Sequence, residues 1–174
     1  MNLKTFFIIG PNGIGKTTTF NLLKKILHSD NYSIHDFDER GVPDNADDVW
    51  RKSETKYWIS VGNKNKECNK NTIICGFAKP EEIESISTEL MVILLDGNKE
   101  TISNRISSRY STNESILELE RATGKSVNKF IADNICYSNI LREKCIEYNY
   151  KIVSVDNKKP EAVSSEVLKI IKSN

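Results

Sequence analysis

The sequence predicts an α/β fold with a mainly parallel β-sheet, because short apolar runs alternate with helical patterns along the chain. Five runs rich in β-branched and aromatic residues are typical of strands that are buried in a parallel sheet. Apolar residues at helical spacing follow these runs. The 174 residues suffice for a single domain, 1–174, that needs neither disulfides nor a structural metal.

The first predicted unit is a strand, a glycine-rich turn and a helix. Residues 4–9 are mostly β-branched or aromatic and stop at Gly10, as a buried parallel strand does. Helical spacing begins at Lys16 and is broken at 29–31. Residues 32–37 alternate in polarity and are predicted to form the second strand.

The middle of the chain predicts a long helix, a strand and a further helix. The helix covers about 46–62 and carries both tryptophans on one side. The Asn- and Lys-rich stretch 62–67 is expected to be a solvated segment. Residues 72–75 form the third predicted strand, and Pro80 opens the next helix.

The last part of the chain predicts two more strands, each followed by helical sequence. The fourth strand, 91–95, is the most apolar, and a helix with two arginines follows it. A longer helix covers about 126–148. The fifth strand covers 150–155, and the closing helix begins at Pro160.

Charge and composition exclude several classes of partner. The chain has 25 Lys and Arg against 24 Asp and Glu, so no nucleic-acid partner is expected. The early apolar run 6–9 is far shorter than the roughly 20 residues of a membrane span, so neither a membrane partner nor an export signal is expected. The four cysteines form no C-x-x-C pair. We expect reduced thiols, a cytoplasmic location and a monomer or homodimer.

The strongest motif is a phosphate-binding turn at residues 10–17, with the sequence GPNGIGKT. It fits G-x-x-x-x-G-K-[ST] at every fixed position, between a predicted strand and a predicted helix. Backbone N–H groups of such a turn converge on phosphate oxygens, and the helix start adds about half a positive charge. We expect Lys16 to reach the β and γ phosphates of ATP, Thr17 to bind Mg²⁺ and Thr18 to meet the α phosphate. The other predicted nucleotide-binding residues are Gly10, Asn12, Gly13, Ile14 and Gly15.

At these residues the sequence resembles the P-loop kinases of small molecules, which include nucleoside monophosphate kinases, shikimate kinase and gluconate kinase. The resemblance covers nearly the whole chain in element order, and 10–17 is its most specific part. It implies a three-layer P-loop NTPase fold with a five-stranded parallel sheet in the order 2-3-1-4-5. It also implies an acceptor-binding region at about 38–70 and a short helical lid at about 110–125.

An acidic pair lies at the end of the second predicted strand. Asp36 and Asp38 are two residues apart, so in an extended backbone they project to the same side. The pair is similar to the D-x-D of shikimate and gluconate kinases. That resemblance implies that Asp36 helps to hold hydrated magnesium, and that Asp38 binds the acceptor hydroxyl and can take its proton. The alternative is a solvated acidic turn that caps the next helix.

Two further segments are similar to parts of this family. Residues 75–79, CGFAK, align with a D-G-F-P-R stretch, so Cys75 stands in place of a magnesium-organising aspartate and Lys79 in place of an arginine for the acceptor phosphate. Arg105 and Arg109 are four residues apart on a predicted helix, like the arginines that begin the lid. They would stabilise charge on the transferring phosphoryl group. The alternative roles are a surface lysine and surface arginines.

The candidate walls of the acceptor pocket are Trp50, Tyr57 and Trp58, with Arg40 and Arg51 at the edge of the pocket, because aromatic faces stack on bases or sugars and arginine binds anions. Core packing with surface arginines is the alternative. The predicted function is ATP-dependent phosphoryl transfer to a nucleoside, a nucleotide or another hydroxylated metabolite. An ATPase or switch protein without an acceptor is the alternative that Cys75 favours. A kinase of polynucleotide ends or a protein-modifying toxin uses the same turn, but the balanced charge offers no strand-tracking surface.

Overall fold

The sheet contains five parallel strands in the order β2-β3-β1-β4-β5, within the residues that the computed structural model describes, which are 3–27, 31–44, 46–86 and 90–173. This arrangement confirms the predicted fold class and strand order. The strands are β1 (Thr5–Ile9), β2 (Tyr32–Asp36), β3 (Asn71–Cys75), β4 (Met91–Asp96) and β5 (Lys151–Ser154). Of the predicted helix break at 29–31, residues 29 and 30 lie outside the described residues.

The central strand β1 is buried along its whole length, which explains why its sequence is an unbroken apolar run rather than an alternating one. It pairs with β3 on one side and β4 on the other, and Phe7 is in register with Ile74 and Val92. Successive side chains of β1 enter opposite layers of core, because strand side chains alternate between the faces of a sheet. Phe6 lies in one apolar cluster and Phe7 in the other.

Helices cover both faces of the sheet and complete three layers. Leu23, Ile106 and Val167 lie in the same cluster as Phe6, whereas Trp58 and Leu141 lie in the same cluster as Phe7. None of the helices in the described ranges has the length and hydropathy needed to cross a bilayer. The helices are α1 (Lys16–Ile26), α2 (Asp48–Glu67), α3 (Pro80–Glu84), α4 (Lys99–Arg109), α5 (Asn113–Thr123), α6 (Val127–Glu147) and α7 (Pro160–Lys172).

Helix α2 corrects one prediction, because it continues through the stretch 62–67 that was expected to be a solvated segment. Gly62 does not end the helix. It is buried where α2 crosses β1, and a Cβ atom there would overlap the side chain of Thr5. The glycine therefore allows close helix–sheet packing, which the sequence pattern could not distinguish from a helix stop.

The segment expected to form a lid contains the helix α5. Thr112 caps its N-terminus, where the Thr112 side chain accepts a hydrogen bond from the Ser115 N–H and the Ser115 hydroxyl lies against the Thr112 backbone N–H. The helix ends at Gly124 and carries one buried apolar residue, Leu119. A helix with so little buried surface is suited to move relative to the sheet.

Candidate active site

The phosphate-binding turn lies between β1 and α1, at the carboxyl edge of the sheet. Gly15 has a φ of 109°, a left-handed conformation that favours glycine, and it immediately precedes the first turn of α1. Lys16 is half-buried, and its Nζ donates hydrogen bonds to the carbonyl oxygens of Gly10 and Pro11, both at 2.9 Å. The ammonium therefore lies within the turn, where it can meet phosphate oxygens.

The electrostatics of the turn are dominated by the burial of this lysine. Withdrawal from water lowers the pKa of Lys16 from 10.5 to about 8, although the carboxylates of Asp38 and Asp36 act in the opposite direction. The Arg109 guanidinium adds a smaller lowering effect. Lys16 is thus a cation whose charge is sensitive to pH in the mildly alkaline range.

The acidic pair reaches the same edge of the sheet by a turn, not by strand alternation as the spacing suggested. Strand β2 ends at Asp36, and the Asp38 N–H donates a hydrogen bond of 3.0 Å to Asp36 Oδ1. Phe37, between them, is fully buried. Glu39 Oε2 accepts a hydrogen bond of 3.2 Å from the Asp36 N–H and so holds the turn from its other side. Burying the intervening aromatic ring directs both carboxylates toward one cavity.

Two cavities meet at these residues. The larger, of about 840 Å³, lies over the phosphate-binding turn and extends between α4 and the start of α7. The smaller, of about 360 Å³, lies beyond Asp36 toward α2 and the end of β3. Four residues line both cavities, namely Asn12, Lys16, Thr17 and Asp38. A group held at this junction is in contact with both spaces.

Asp38 has an environment suited to proton transfer. Partial burial raises the pKa of its carboxyl above 3.8, and the nearby Asp36 carboxylate adds to the rise, whereas the Lys16 ammonium opposes it. A raised pKa makes a carboxylate a better proton acceptor at the operating pH. Asp38 is therefore placed and tuned as a general base would be.

Arg105 and Arg109 both line the larger cavity. Arg105 Nη1 donates a hydrogen bond of 2.6 Å to the carbonyl oxygen of Ile14, which ties α4 to the turn. The Arg109 guanidinium lies 5.5 Å from the ring centre of Tyr110. Both arginines thus face the space above the turn, while neither lines the smaller cavity.

Of the aromatic candidates, one lines the smaller cavity and another is buried in the core. Trp50 is half-buried and lines the smaller cavity, together with Phe77. Trp58, which the helical spacing placed on the same side, is 1% exposed and donates an indole hydrogen bond of 3.0 Å to the Phe37 carbonyl. For Trp58 the structure corresponds to the core-packing alternative.

The three cationic candidates for acceptor binding are engaged with carboxylates. Arg51 lines the smaller cavity, but its guanidinium is buried against Glu82 at 2.8 Å. The Arg40 guanidinium pairs with a glutamate of α2 and covers the Tyr57 ring, 3.7 Å from its centre. Lys79 Nζ lies 3.5 Å from a carboxylate oxygen at the start of α2. Neither Arg40 nor Lys79 lines the smaller cavity.

Asn134 of α6 contacts the turn and was not singled out by the sequence analysis. Its buried side chain accepts a hydrogen bond of 3.0 Å from the Asn12 N–H and donates one of 2.9 Å to the Phe130 carbonyl. The signal available in the sequence is a polar residue on the apolar stripe of a helix, because Asn134 lies four residues after Phe130 and one before Ile135.

The residues at the junction fit a magnesium ion that is held mainly by phosphates and water. Thr17 and Asp36 offer oxygen ligands on the wall of one cavity, and Mg²⁺ is commonly bound by one or two protein oxygens plus substrate phosphates. Within the described ranges, no group of three or more His, Cys, Asp and Glu residues could hold a metal by itself. Cys75 lines the same cavity, but its donor atom is sulfur, which is softer than the oxygen ligands that Mg²⁺ prefers. Burial also raises the pKa of its thiol, which disfavours the thiolate.

Comparison with solved structures finds the same fold in several kinases of small molecules. No protein-family model matches the chain, and neither does any curated protein. Shikimate kinase from Aquifex aeolicus superposes with a TM-score of 0.54 at 18% identity, over 98% of this chain and 97% of that one. Shikimate kinase from Acinetobacter baumannii, in complex with shikimate, gives 0.60 at 16% identity, over 99% and 95%. A gluconokinase from Sinorhizobium meliloti gives 0.61 at 14% identity, over 95% and 90%.

These similarities confirm the fold that the resemblance implied. The chain has the P-loop fold of shikimate and gluconate kinases, with their parallel sheet in the order 2-3-1-4-5.

Proposed function

We propose that this protein transfers the γ-phosphoryl group of ATP to a hydroxyl group of a small-molecule acceptor. The observation that carries the proposal is the junction of two cavities at Lys16, Thr17 and Asp38. The larger cavity is of a size and position for the nucleotide, and the smaller one for the acceptor. Phosphoryl transfer needs the two substrates to meet in line at one point, and such a junction supplies it.

On the nucleotide side, the turn binds the phosphates, and two arginines of α4 lie beside it. The turn residues from Gly10 to Thr18 hold the phosphates through backbone N–H groups, and Lys16 pairs with their terminal oxygens. Magnesium, when bound with ATP, neutralises charge on the phosphates, and Thr17 and Asp36 are the residues that would hold it. Arg105 fixes α4 against the turn, and Arg109 faces the phosphates.

On the acceptor side, Asp38 is the general base. Its carboxylate accepts the proton of the acceptor hydroxyl as the acceptor oxygen bonds to the γ phosphorus, and the bond from that phosphorus to the ADP oxygen breaks. ADP leaves with the electron pair of the broken bond. Trp50 and Arg51 line the acceptor cavity, and the helix α5 is the element that would cover the junction as a lid.

A slow ATPase or switch protein is the second candidate. Cys75 supports it, because a buried thiol stands at the end of β3 where the aligned stretch of other kinases has an aspartate. The two functions differ in one measurable respect. A kinase releases ADP faster when its acceptor is added, whereas a switch protein does not respond to any small molecule.

The test is ADP release from ATP and Mg²⁺ in the presence of nucleosides, nucleoside monophosphates, sugars and hydroxylated acids. Lys16→Ala protein is the blank, because it retains the turn but lacks the ammonium. We expect Asp38→Asn to lower acceptor-dependent turnover by about 10² to 10⁴ while ATP binding changes little. Asp44→Asn is the matched control, since Asp44 is an exposed carboxylate of the same loop that lines neither cavity. Wild-type turnover in Asp38→Asn would contradict the assignment of the base.

A further inference from the structure

We infer that the acceptor carries no negative charge: the smaller cavity is built for an uncharged or cationic hydroxylated molecule, not for a carboxylate or a phosphate. The inference rests on the proposed function and narrows its acceptor. It is carried by the charges on the cavity wall and by the partners that already neutralise the nearby cations.

The wall of the smaller cavity has more negative than positive groups. It includes four carboxylates, from Asp36, Asp38, Asp47 and Asp48, against the two cations Lys16 and Arg51. In the proposed reaction Lys16 faces the phosphates of ATP and Asp36 faces the magnesium ion bound with them, so neither serves the far end of the acceptor. The charge that this end of the acceptor meets is therefore set by Arg51, Asp47 and Asp48.

Arg51 is not available to an anion. Its Nε and Nη2 groups both donate to the Glu82 carboxylate, which is itself buried, with Nη2 at 2.8 Å. Its Nη1 group donates to Asp48 Oδ1 at 2.8 Å. The guanidinium group is therefore already bonded to two carboxylates of the protein, and binding an acceptor carboxylate requires breaking one of these ion pairs.

The start of α2 is likewise occupied by the chain's own carboxylates. A helix N-terminus attracts anions, but here Asp47 Oδ1 accepts the Trp50 N–H at 2.8 Å and caps the helix. Asp48 is the next residue, and Lys79 Nζ lies 3.5 Å from Asp48 Oδ2. An incoming anion thus meets two carboxylates at a position where a free helix end would have bound it.

The remaining wall suits an uncharged ring or chain bearing hydroxyl groups. Trp50 and Phe77 are half-buried and line the cavity, and Val42 adds an exposed apolar side chain at its mouth. Aromatic faces bind sugar rings, bases and protonated amines. Hydroxyl groups can donate hydrogen bonds to Asp38 and Asp47, since carboxylates only accept them.

The charge effect is large enough to measure. At a separation of about 7 Å, one unit charge changes the affinity for another by about 3-fold in water and about 50-fold at the effective dielectric constant of a protein surface. Removing the Asp48 carboxylate also frees one side of Arg51 and of Lys79. Asp48→Asn is therefore expected to shift the acceptor preference toward anions by a factor in this range. The substitution is conservative, because Asp48 is an exposed residue at the first position of α2.

The experiment compares pairs of related acceptors whose two members differ in charge. Acceptor-stimulated ADP release is measured with shikimate against its methyl ester and gluconate against gluconamide, alongside nucleosides and amino sugars against their phosphate esters. We expect the uncharged or cationic member to give at least a tenfold higher kcat/KM, with Asp48→Asn reducing that ratio by 3-fold or more. Glu67→Gln is the control, since Glu67 ends the same helix about 28 Å away at 1.5 Å per residue.

The outcomes separate this inference from the proposed function. A higher kcat/KM for the anionic members would overturn the inference while leaving the protein a kinase. An unchanged ratio in Asp48→Asn would also overturn it, because the wall charges would then not set the preference. If no acceptor of either kind stimulates ADP release, the proposed function fails, and the inference fails with it.

Discussion

The affinity for ATP is expected to fall as the pH rises from 7 to 9, because Lys16 loses its proton in this range. Burial lowers the pKa of Lys16 to about 8, so about nine-tenths of the molecules carry the ammonium at pH 7 and about one-tenth at pH 9. If the charged form carries phosphate binding, the dissociation constant rises about tenfold over the two units, or about 1.4 kcal/mol.

The stability of the protein changes in the opposite direction over nearly the same range. Because the pKa of Lys16 is below its ordinary value of 10.5, the unfolded chain binds more protons than the folded chain between about pH 8 and 10.5. The free energy of unfolding contributed by this group therefore rises with pH across that window. Weaker nucleotide binding at pH 9 consequently cannot be explained by unfolding that originates at Lys16.

Titration calorimetry with a non-hydrolysed ATP analogue and Mg²⁺ at pH 7, 8 and 9 measures the effect. Lys16→Arg is the matched control, because arginine keeps its charge throughout this range and should give a flat profile. An unchanged dissociation constant for the wild type would refute the reasoning. An equal fall in the affinity of Lys16→Arg for the analogue would assign the titration to another group.

Three further substitutions test the packing around the site. Gly62→Ala should lower the free energy of unfolding by about 1–3 kcal/mol in urea denaturation, because its methyl group overlaps Thr5; exposed Asn63→Ala is the control. Glu82→Gln should lower the free energy of unfolding by about 3 kcal/mol, because it removes the charged partner of buried Arg51. A smaller decrease than in Gly62→Ala would contradict this prediction. Asn134→Leu should weaken nucleotide binding by removing the acceptor for the Asn12 N–H, and an unchanged affinity for ATP would remove Asn134 from the account.

The order of strands and helices was predictable because each strand in this sheet is an apolar run bounded by turns. Residues 6–9 and 91–95 form strands that are covered on both faces of the sheet, so every position favours an apolar residue. The resulting apolar run can be recognised from local sequence alone. The end of α2 was mispredicted because the role of Gly62 depends on Thr5, 57 positions earlier in the chain. A pattern within one helix does not contain that contact.

The candidate site, like the fold, was predictable where local sequence determines the structure and not where it depends on distant residues. The turn at 10–17 was predictable since backbone geometry requires glycine at fixed spacing and its chemistry requires Lys16. The ion pairing of Arg51 could not be predicted, because its partner Glu82 belongs to another helix. The sequence marks Arg51 as a candidate anion binder, and only the ion pair shows that its guanidinium is already occupied.

The central claim is that the γ-phosphoryl group moves to a small molecule. The most direct test uses ATP labelled at that group and separates phosphorylated acceptor from inorganic phosphate after incubation with the acceptor panel. The account predicts label in one acceptor, with neither product formed by Lys16→Ala. Label found in inorganic phosphate alone, at a rate that no acceptor changes, would contradict it and identify an ATPase.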